Sequence, residues 1–342
     1  MVNTKKAKKK IERTPISRSQ GHYVLGQLRA NPEARILTRD FIQQVGKGRS
    51  CVEEKYFVSK EQHAFALDPN ISPVLEVTPP CTVTFETGDM SYARLAQGET
   101  IEDIGFQNFN VVTGPVFVHG AEPGDALCVE VLEVTVRSAW SAWVPGLGRW
   151  GNKTDKLQIR QIPLEGEWAN ISERIKVPIE PMIGCVGLAP ASGSSSTVTP
   201  AYPWGGNLDL RELGSGGTIY LPIQVPGALL SIGDLHAAMG TAEPTAVSLE
   251  AAGQATVRIT VEKGRSLKFP RARTGIETIC VAVADSFTDA RQLAMDLAYD
   301  FLTEEIGLSP FDAYAYASAR VSLRFGGPAS AIVLAIIPDI DM

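Results

Sequence analysis

From Pro73 to about residue 285, Gly and Pro interrupt the chain every few residues, and apolar and polar side chains alternate between these stops. Alternation with a period of two marks strands with one buried face. In SPVLEVTPPCTVTFETGD, Val74 alternates with Glu76, and Val83 and Phe85 follow a Pro-Pro stop, which predicts a hairpin. FVHGAEPGDALCVEVLEVTV repeats the texture: a strand, a Pro-Gly-Asp turn, then Leu127, Val129 and Val131 on one face. Short strands continue through IYLPIQV, LLSIGD, AVSLEAAGQATVRITVEKG and ETICVAVAD. This part predicts a mainly β fold, sandwich- or barrel-like.

The period then changes. Ala290, Leu293, Ala294, Leu297 and Phe301 recur at helical spacing. A second helix is predicted to start at Ser309, with Pro310 in its first position and Asp312 where a capping-box acid belongs. VSLRFGG and SAIVLAIIP read as strands. Three regions result: an N-terminal extension over 1–60, with a basic tail and a short helix near Thr38 to Val45; a mainly β core over 61–285; and a smaller C-terminal α+β portion over 286–342. The polar loop ASGSSSTVTPAYPWGGN is long enough to suggest a functional role.

Composition narrows the function classes. The chain has 342 residues, 44% of them hydrophobic, and a net charge of −6. No broad basic surface is implied, which argues against nucleic acid as the partner. The lysines of MVNTKKAKKKIER form a short solvated tail. No apolar run is long enough to span a bilayer, and no secretory core follows the tail, so a cytoplasmic protein without membrane association is expected. The five cysteines, Cys51, Cys81, Cys128, Cys185 and Cys280, are widely spaced with no CxxC pair, as expected of buried reduced thiols.

Candidate chemistry concentrates in GDLHAAMGTAE, Gly233 to Glu243, where Asp234, His236 and Glu243 share one short segment of a chain with four histidines. His236 follows a strand among small residues, suiting a metal ligand, although a hydrogen-bonded core histidine would look the same. Asp234 suits either catalysis or a turn cap. Glu243 could act as a general base, or be a surface residue before Pro244. Glu86 and Asp89 end a strand in FETGD, where side chains are held firmly and still reach a cleft. Asn207 and Asp209, after the paired glycines of GGNLD, suit contact with a ligand carbonyl or a plain turn. His119, Glu122 and Asp125 surround the Pro-Gly-Asp turn, Asp125 in a structural position. Trp140, Trp143 and Trp150 could wall a pocket but more often fill a core or interface. Cys185 sits in the apolar PMIGCVGLAP run and reads as inert, and Ser194 to Ser196 lack the Ser-Lys or GxSxG context of a serine nucleophile.

An ordered set of segments resembles the acetamidase/formamidase family. IGCVGLAPA (183–191), GGNLDLREL (205–213) and TIYLPIQVPGALLSIGDLHAAMGTAE carry the resemblance, with TVTFETGD and GPVFVHGAEPGD upstream and EEIGLSPFDAYAYASARVSLR downstream. The match runs from about residue 63 to 340. It implies a mainly β, homo-oligomeric hydrolase that cleaves a small, non-peptide amide to carboxylate and ammonia or amine. It also implies a water activated by a divalent metal, zinc in the first instance. His63 stands where the family commonly has a histidine, and Asp89 matches a characteristic family position. The resemblance thus points to His63, Asp89 and His236 as metal ligands, Glu243 and Asp234 as catalytic groups, and Asn207, Asp209 and Trp204 as substrate contacts.

The family segment usually reads GDGHAAQGDGE. Here Leu235 replaces a glycine, Met239 a glutamine, and Thr241 with Ala242 an Asp-Gly pair; Trp204 replaces a histidine and Ser322 an aspartate. If these residues wall the site, they predict a more apolar pocket and a substrate other than formamide. Two other readings stay open: a metal-independent amidase using Cys185 or a carboxylate, and a non-catalytic binding or scaffolding member.

Overall fold

The computed structural model describes residues 54–340, and the short helix expected near Thr38 to Val45 lies outside them. Two large sheets face each other. The first has nine strands in the order Glu54–Val58, Cys81–Thr87, Gly253–Glu262, Ala126–Val136, Thr218–Pro222, Arg271–Arg273, Glu277–Ala284, Ala331–Pro338 and Ser322–Phe325. The second is built on Leu230–Ala238, with Met182–Gly187 on one flank and Val112–Val118 and Leu249–Ala251 sharing the other. Trp140–Trp143 and Gln158–Gln161 extend it. This is the mainly β architecture that the alternation predicts, with a small C-terminal helical part.

The alternation has a plain structural cause. Val83, Phe85, Leu127, Val129, Val131, Val257 and Ile259 of the first sheet share one core with Val116, Ile183, Leu230 and Ile232 of the second. Their polar neighbours point away, because successive strand residues face opposite sides.

The predicted Pro-Pro hairpin is not formed. Leu75–Val77 pairs in parallel with Val112–Val118 in the second sheet, whereas Cys81–Thr87 joins the first. Pro79 and Pro80 therefore carry the chain across the sandwich. The EPGD turn does the same between Val112–Val118 and Ala126–Val136. A period of two reports which face is buried, and both strands of such an arch bury the same kind of face in one core. Asp125 holds the second arch: its carboxylate accepts from the backbone N–H of Glu122 at 3.1 Å and Gly264 at 2.8 Å, and pairs with Lys263.

Glu277–Ala284 and Ala331–Pro338 are apolar on both faces because both are covered. Ile279, Val281, Ile332, Leu334 and Ile336 point into the sandwich. Cys280, Ala282, Val333, Ala335 and Ile337 pack against Ala290, Ala294 and Ala298 of the helix Phe287–Asp300. Small alanines on that stripe let the helix lie close to the sheet. A single turn of π-helix, Phe301–Glu305, follows, and then the helix Pro310–Arg320. The Ser309 hydroxyl accepts from the backbone N–H of Asp312 at 3.2 Å, as the capping pattern predicts. Among the described residues no helix is long and apolar enough to cross a membrane.

Two substitutions should separate core packing from capping. Phe85→Ala empties a fully buried aromatic site and should cost about 3–5 kcal/mol. Ser309→Ala removes one cap at an exposed helix start and should cost about 1 kcal/mol. Denaturant titration of both variants measures the difference, and similar losses would contradict the placement of Phe85.

Candidate active site

The site begins with a change of phase in one strand. Leu230 and Ile232 face the sandwich core, and the next core residue is Leu235, three positions on rather than two. Between them Asp234 has a φ of +55°. Here the strand also changes neighbours, since Gly233 pairs with Val112 and Leu235 with Ala251. Without this inversion, Asp234 and His236 would stay in step with Leu230 and Ile232 and point into the core. With it they face the opposite side of the second sheet.

Four carboxylates converge on His236 there. Its Nε2 lies 3.5 Å from an Asp234 oxygen, 3.5 Å from a Glu250 oxygen and 3.9 Å from an Asp209 oxygen. Glu250 is its direct partner in the strand pairing. Glu243 completes a second close group with His236 and Glu250. His236 and Asp209 are each 1% exposed, Glu250 5% and Glu243 6%. Asp209 and Glu243 also have positive φ, at 47° and 41°. Such backbones cost roughly 1–3 kcal/mol each and persist where the surroundings over-determine them.

Two glycines make room for the acids. A Cβ on Gly184 would come within 2.6 Å of an Asp234 carboxylate oxygen and 2.8 Å of one of Asp209. A Cβ on Gly327 would come within 2.6 Å of the other Asp209 oxygen. Asn110 donates from Nδ2 to Asp234 at 2.8 Å and to Asn207 Oδ1 at 3.1 Å. With its carbonyl engaged, Asn207 has its own NH₂ group left to offer.

The electrostatics are one-sided. Burial pushes the Asp209 carboxyl well above the usual carboxylate range, and repulsion from Glu243 adds to it. Burial raises Glu243 as well, and pushes Glu250 up to about 8. Burial alone would lower His236, but the Glu250 and Asp234 carboxylates outweigh it and hold the imidazole well above its ordinary value. Among the described residues no Lys or Arg lines the cavity over these groups. Buried carboxylates are costly unless protonated, paired or bound to a cation. Among the described residues neither oxygen of Asp209 has a hydrogen-bond partner, nor does His236 Nδ1. Asp209, Asp234 and His236 form one group able to hold a metal ion, and His236, Glu243 and Glu250 another. One imidazole with several carboxylates suits a divalent ion such as zinc or manganese.

The cluster is the floor of a cavity of about 430 Å³. Asn110, Asn207, Asp234, His236, Glu243 and Glu250 contribute its polar end. Its walls come from the helix Met90–Ala96 and the turns after it (Tyr92, Leu95, Ile101, Phe106, Phe109), and from Ala142 to Leu147. The Ser/Gly/Pro loop adds Val198 and Thr199, whose hydroxyl donates at 2.9 Å to the backbone carbonyl of Ala329, another lining residue.

The sequence expectations divide sharply. Asp209, Asp234, His236 and Glu243 do meet, and Asn207 lies beside them. His63 and Asp89 are not brought to His236: both line a second cavity of about 380 Å³, next to the first across Tyr92 and Phe109. His63 is exposed, with Nδ1 2.9 Å from the Lys60 carbonyl. Asp89 accepts from Ser138 at 2.6 Å and from the Trp140 indole at 2.7 Å, which makes it an anchor for that strand. Trp204 is stacked on Tyr202 and does not line the active cavity. Nor do Leu235, which is in the sandwich core, or Met239, Thr241 and Ala242. The departures from the family motif therefore do not build the wall. Cys185 is fully buried off the cavity, and burial pushes its thiol well up. Trp143 and Trp150 stay exposed, and Trp140 packs beside Tyr92.

Glu250, Asn110 and Tyr92 are members of the site that motif reading misses. Glu250 alone had a signal, a solitary charge inside the apolar run AVSLEAAGQA. The Tyr92 phenol is pushed well up by burial and by the facing Glu250, Asp234 and Glu243 carboxylates.

Fold and site together define a β-sandwich protein with a buried, metal-competent acidic cleft. The chain belongs to the Acetamidase/Formamidase family, which it matches over residues 53–193 and 147–289. It is 31% identical to an acetamidase of Bacillus halodurans of known structure, with a TM-score of 0.77 over 82% of this chain and 97% of that one. It is 29% identical to a predicted acetamidase/formamidase of Thermoanaerobacter tengcongensis, with a TM-score of 0.78 over 84% and 96%. An acetamidase of Mycolicibacterium smegmatis is 22% identical over 242 residues, 51% of this chain. The chain spans about 60% of the length of the curated relatives it matches.

The charge arrangement predicts an unusual pH profile. The raised carboxyls hold protons in the folded protein that the unfolded chain releases above about pH 4.5, and for Glu250 this lasts to about 8. The raised His236 has the same sign, since its stabilisation is lost as pH rises through its folded pKa. The folded state thus binds more protons in this window, and stability falls as pH rises, by up to about 1.4 kcal/mol per pH unit for each proton. Chelator-treated protein should melt at progressively lower temperature from pH 5 to pH 8. Divalent metal should raise the Tm more at pH 8 than at pH 5. A flat or rising melting profile in chelator would contradict this burial of acids.

Proposed function

We propose that the protein hydrolyses the carbon–nitrogen bond of a small, uncharged amide at the His236 cluster, with a divalent metal, zinc in the first instance, as cofactor. The observation that carries this reading is the buried carboxylate–imidazole group, without a cationic partner, at the foot of an open cavity. Family membership and the likeness to the Bacillus halodurans acetamidase support the reaction class.

His236, Asp209 and Asp234 would hold the metal, because Asp209 is fully buried with both oxygens unpartnered and Asn110 steadies Asp234. A bound divalent ion supplies a Lewis acid and lowers the pKa of water. Glu243 and Glu250 then remain to handle protons. Glu243 takes a proton from the attacking water and delivers it to the leaving nitrogen, without which amide cleavage stalls. Glu250, held protonated near neutral pH by its burial, can donate to the developing oxyanion or pass a proton to Glu243. Asn207, oriented by Asn110, donates to the amide carbonyl. The apolar walls keep bulk water from the reacting end.

Three variants test the assignment together. His236→Ala should lose both bound metal and ammonia release. Glu243→Gln should keep its metal while kcat falls about 10²–10⁴-fold. Cys185→Ser should keep turnover, because the thiol is buried off the cavity. Metal analysis and an ammonia-release assay read all three. Full activity in His236→Ala, or inactivity of a folded Cys185→Ser, would reverse the assignment toward a metal-independent amidase.

A further inference from the structure

The cavity is built unevenly. Its polar groups gather at the floor, around His236, and above them the lining is almost wholly apolar. Leu95, Ile101, Phe106, Val144, Leu147 and Val247 come from three separate stretches of chain, yet all present hydrocarbon to the same space. Among the described residues no Lys or Arg lines it. A volume of about 430 Å³ is in the range of pockets that enclose ligands well beyond three or four heavy atoms.

Formamide would occupy the floor alone and leave the hydrocarbon walls facing water. Such walls are most favourable when a ligand covers them.

We infer that the site takes an uncharged amide carrying an apolar acyl chain or ring of several carbons, with the amide at the His236 floor and the acyl group along the Leu95–Phe106–Leu147 wall. This rests on the amide-hydrolase reading above. It also specifies what the substrate lacks: a carboxylate at the far end would be buried against hydrocarbon without a Lys or Arg partner among the described residues. The wall is independent of the motif departures Leu235, Met239 and Trp204, which lie elsewhere.

The test is a series of unbranched amides, from formamide and acetamide to butanamide and hexanamide, with benzamide and the half-amide of adipic acid added. Each methylene buried on the wall is worth roughly fourfold. Metal-loaded protein should therefore prefer hexanamide to acetamide by about two orders of magnitude in kcat/KM. Benzamide should also exceed acetamide. The adipic half-amide, which matches hexanamide in length but ends in a carboxylate, should fall at least tenfold below it. Phe106→Ser should reduce the hexanamide-to-acetamide ratio at least tenfold.

Binding by the Glu243→Gln variant, measured by calorimetry with the same amides, separates the two readings. If no amide is turned over but affinity still rises with chain length, the hydrolase reading fails and the apolar-ligand inference stands. If formamide or acetamide has the highest kcat/KM, or affinity does not change with chain length, this inference fails while hydrolysis stands. Equal use of the half-amide and hexanamide would also overturn it.

Discussion

The site depends on gathering four carboxylates around one imidazole out of reach of water. Burial holds the Asp209, Glu243 and Glu250 carboxyls above their usual range, and repulsion from neighbouring carboxylates adds to it. Only protons or a cation can neutralise such a group, because the cavity lining contains no Lys or Arg. A folded protein that maintains this arrangement gives up stability at its centre, which the large shared core of the two sheets must supply.

The backbone bears part of the same strain. Asp209, Asp234 and Glu243 all have positive φ, and each delivers its carboxylate to the cluster. At Asp234 the inversion does more than aim one side chain. It changes which face of the strand the next residues occupy, so His236 reaches the site while Leu235 remains in the core. Gly184 and Gly327 complete the arrangement by leaving the space the carboxylates fill, space that a methyl group would take. Inverted strand, positive-φ acids and facing glycines make one construction.

The cavity draws its polar and its apolar lining from different elements. The second sheet and its adjoining loops form the acidic floor, which needs rigid geometry. Short helical turns and the 142–147 segment form most of the wall, which needs only shape and apolar surface. The motif departures of this chain, in the core or away from the cavity, say little about the substrate.

The strands, their buried faces and the C-terminal helices follow from local pattern. Alternation needs only one buried face, and capping involves residues within one turn, so Leu127, Val129, Val131, Ser309 and Asp312 could be placed from sequence. Asp234, His236 and Glu243 were legible because they share one short segment. Which sheet each strand joins was not legible, since both faces of one core show the same alternation; hence the arch at Pro79 and Pro80 resembled a hairpin. Glu250 reaches His236 only through strand pairing, and Asn110 reaches Asp234 only through packing across distant segments. His63 and Asp89 looked equivalent to the true neighbours of His236, and the tertiary structure carried them to another cavity. Local sequence sets each residue's chemistry and the face it occupies; register and the joining of the two sheets decide which residues meet, because those contacts depend on chain segments far apart.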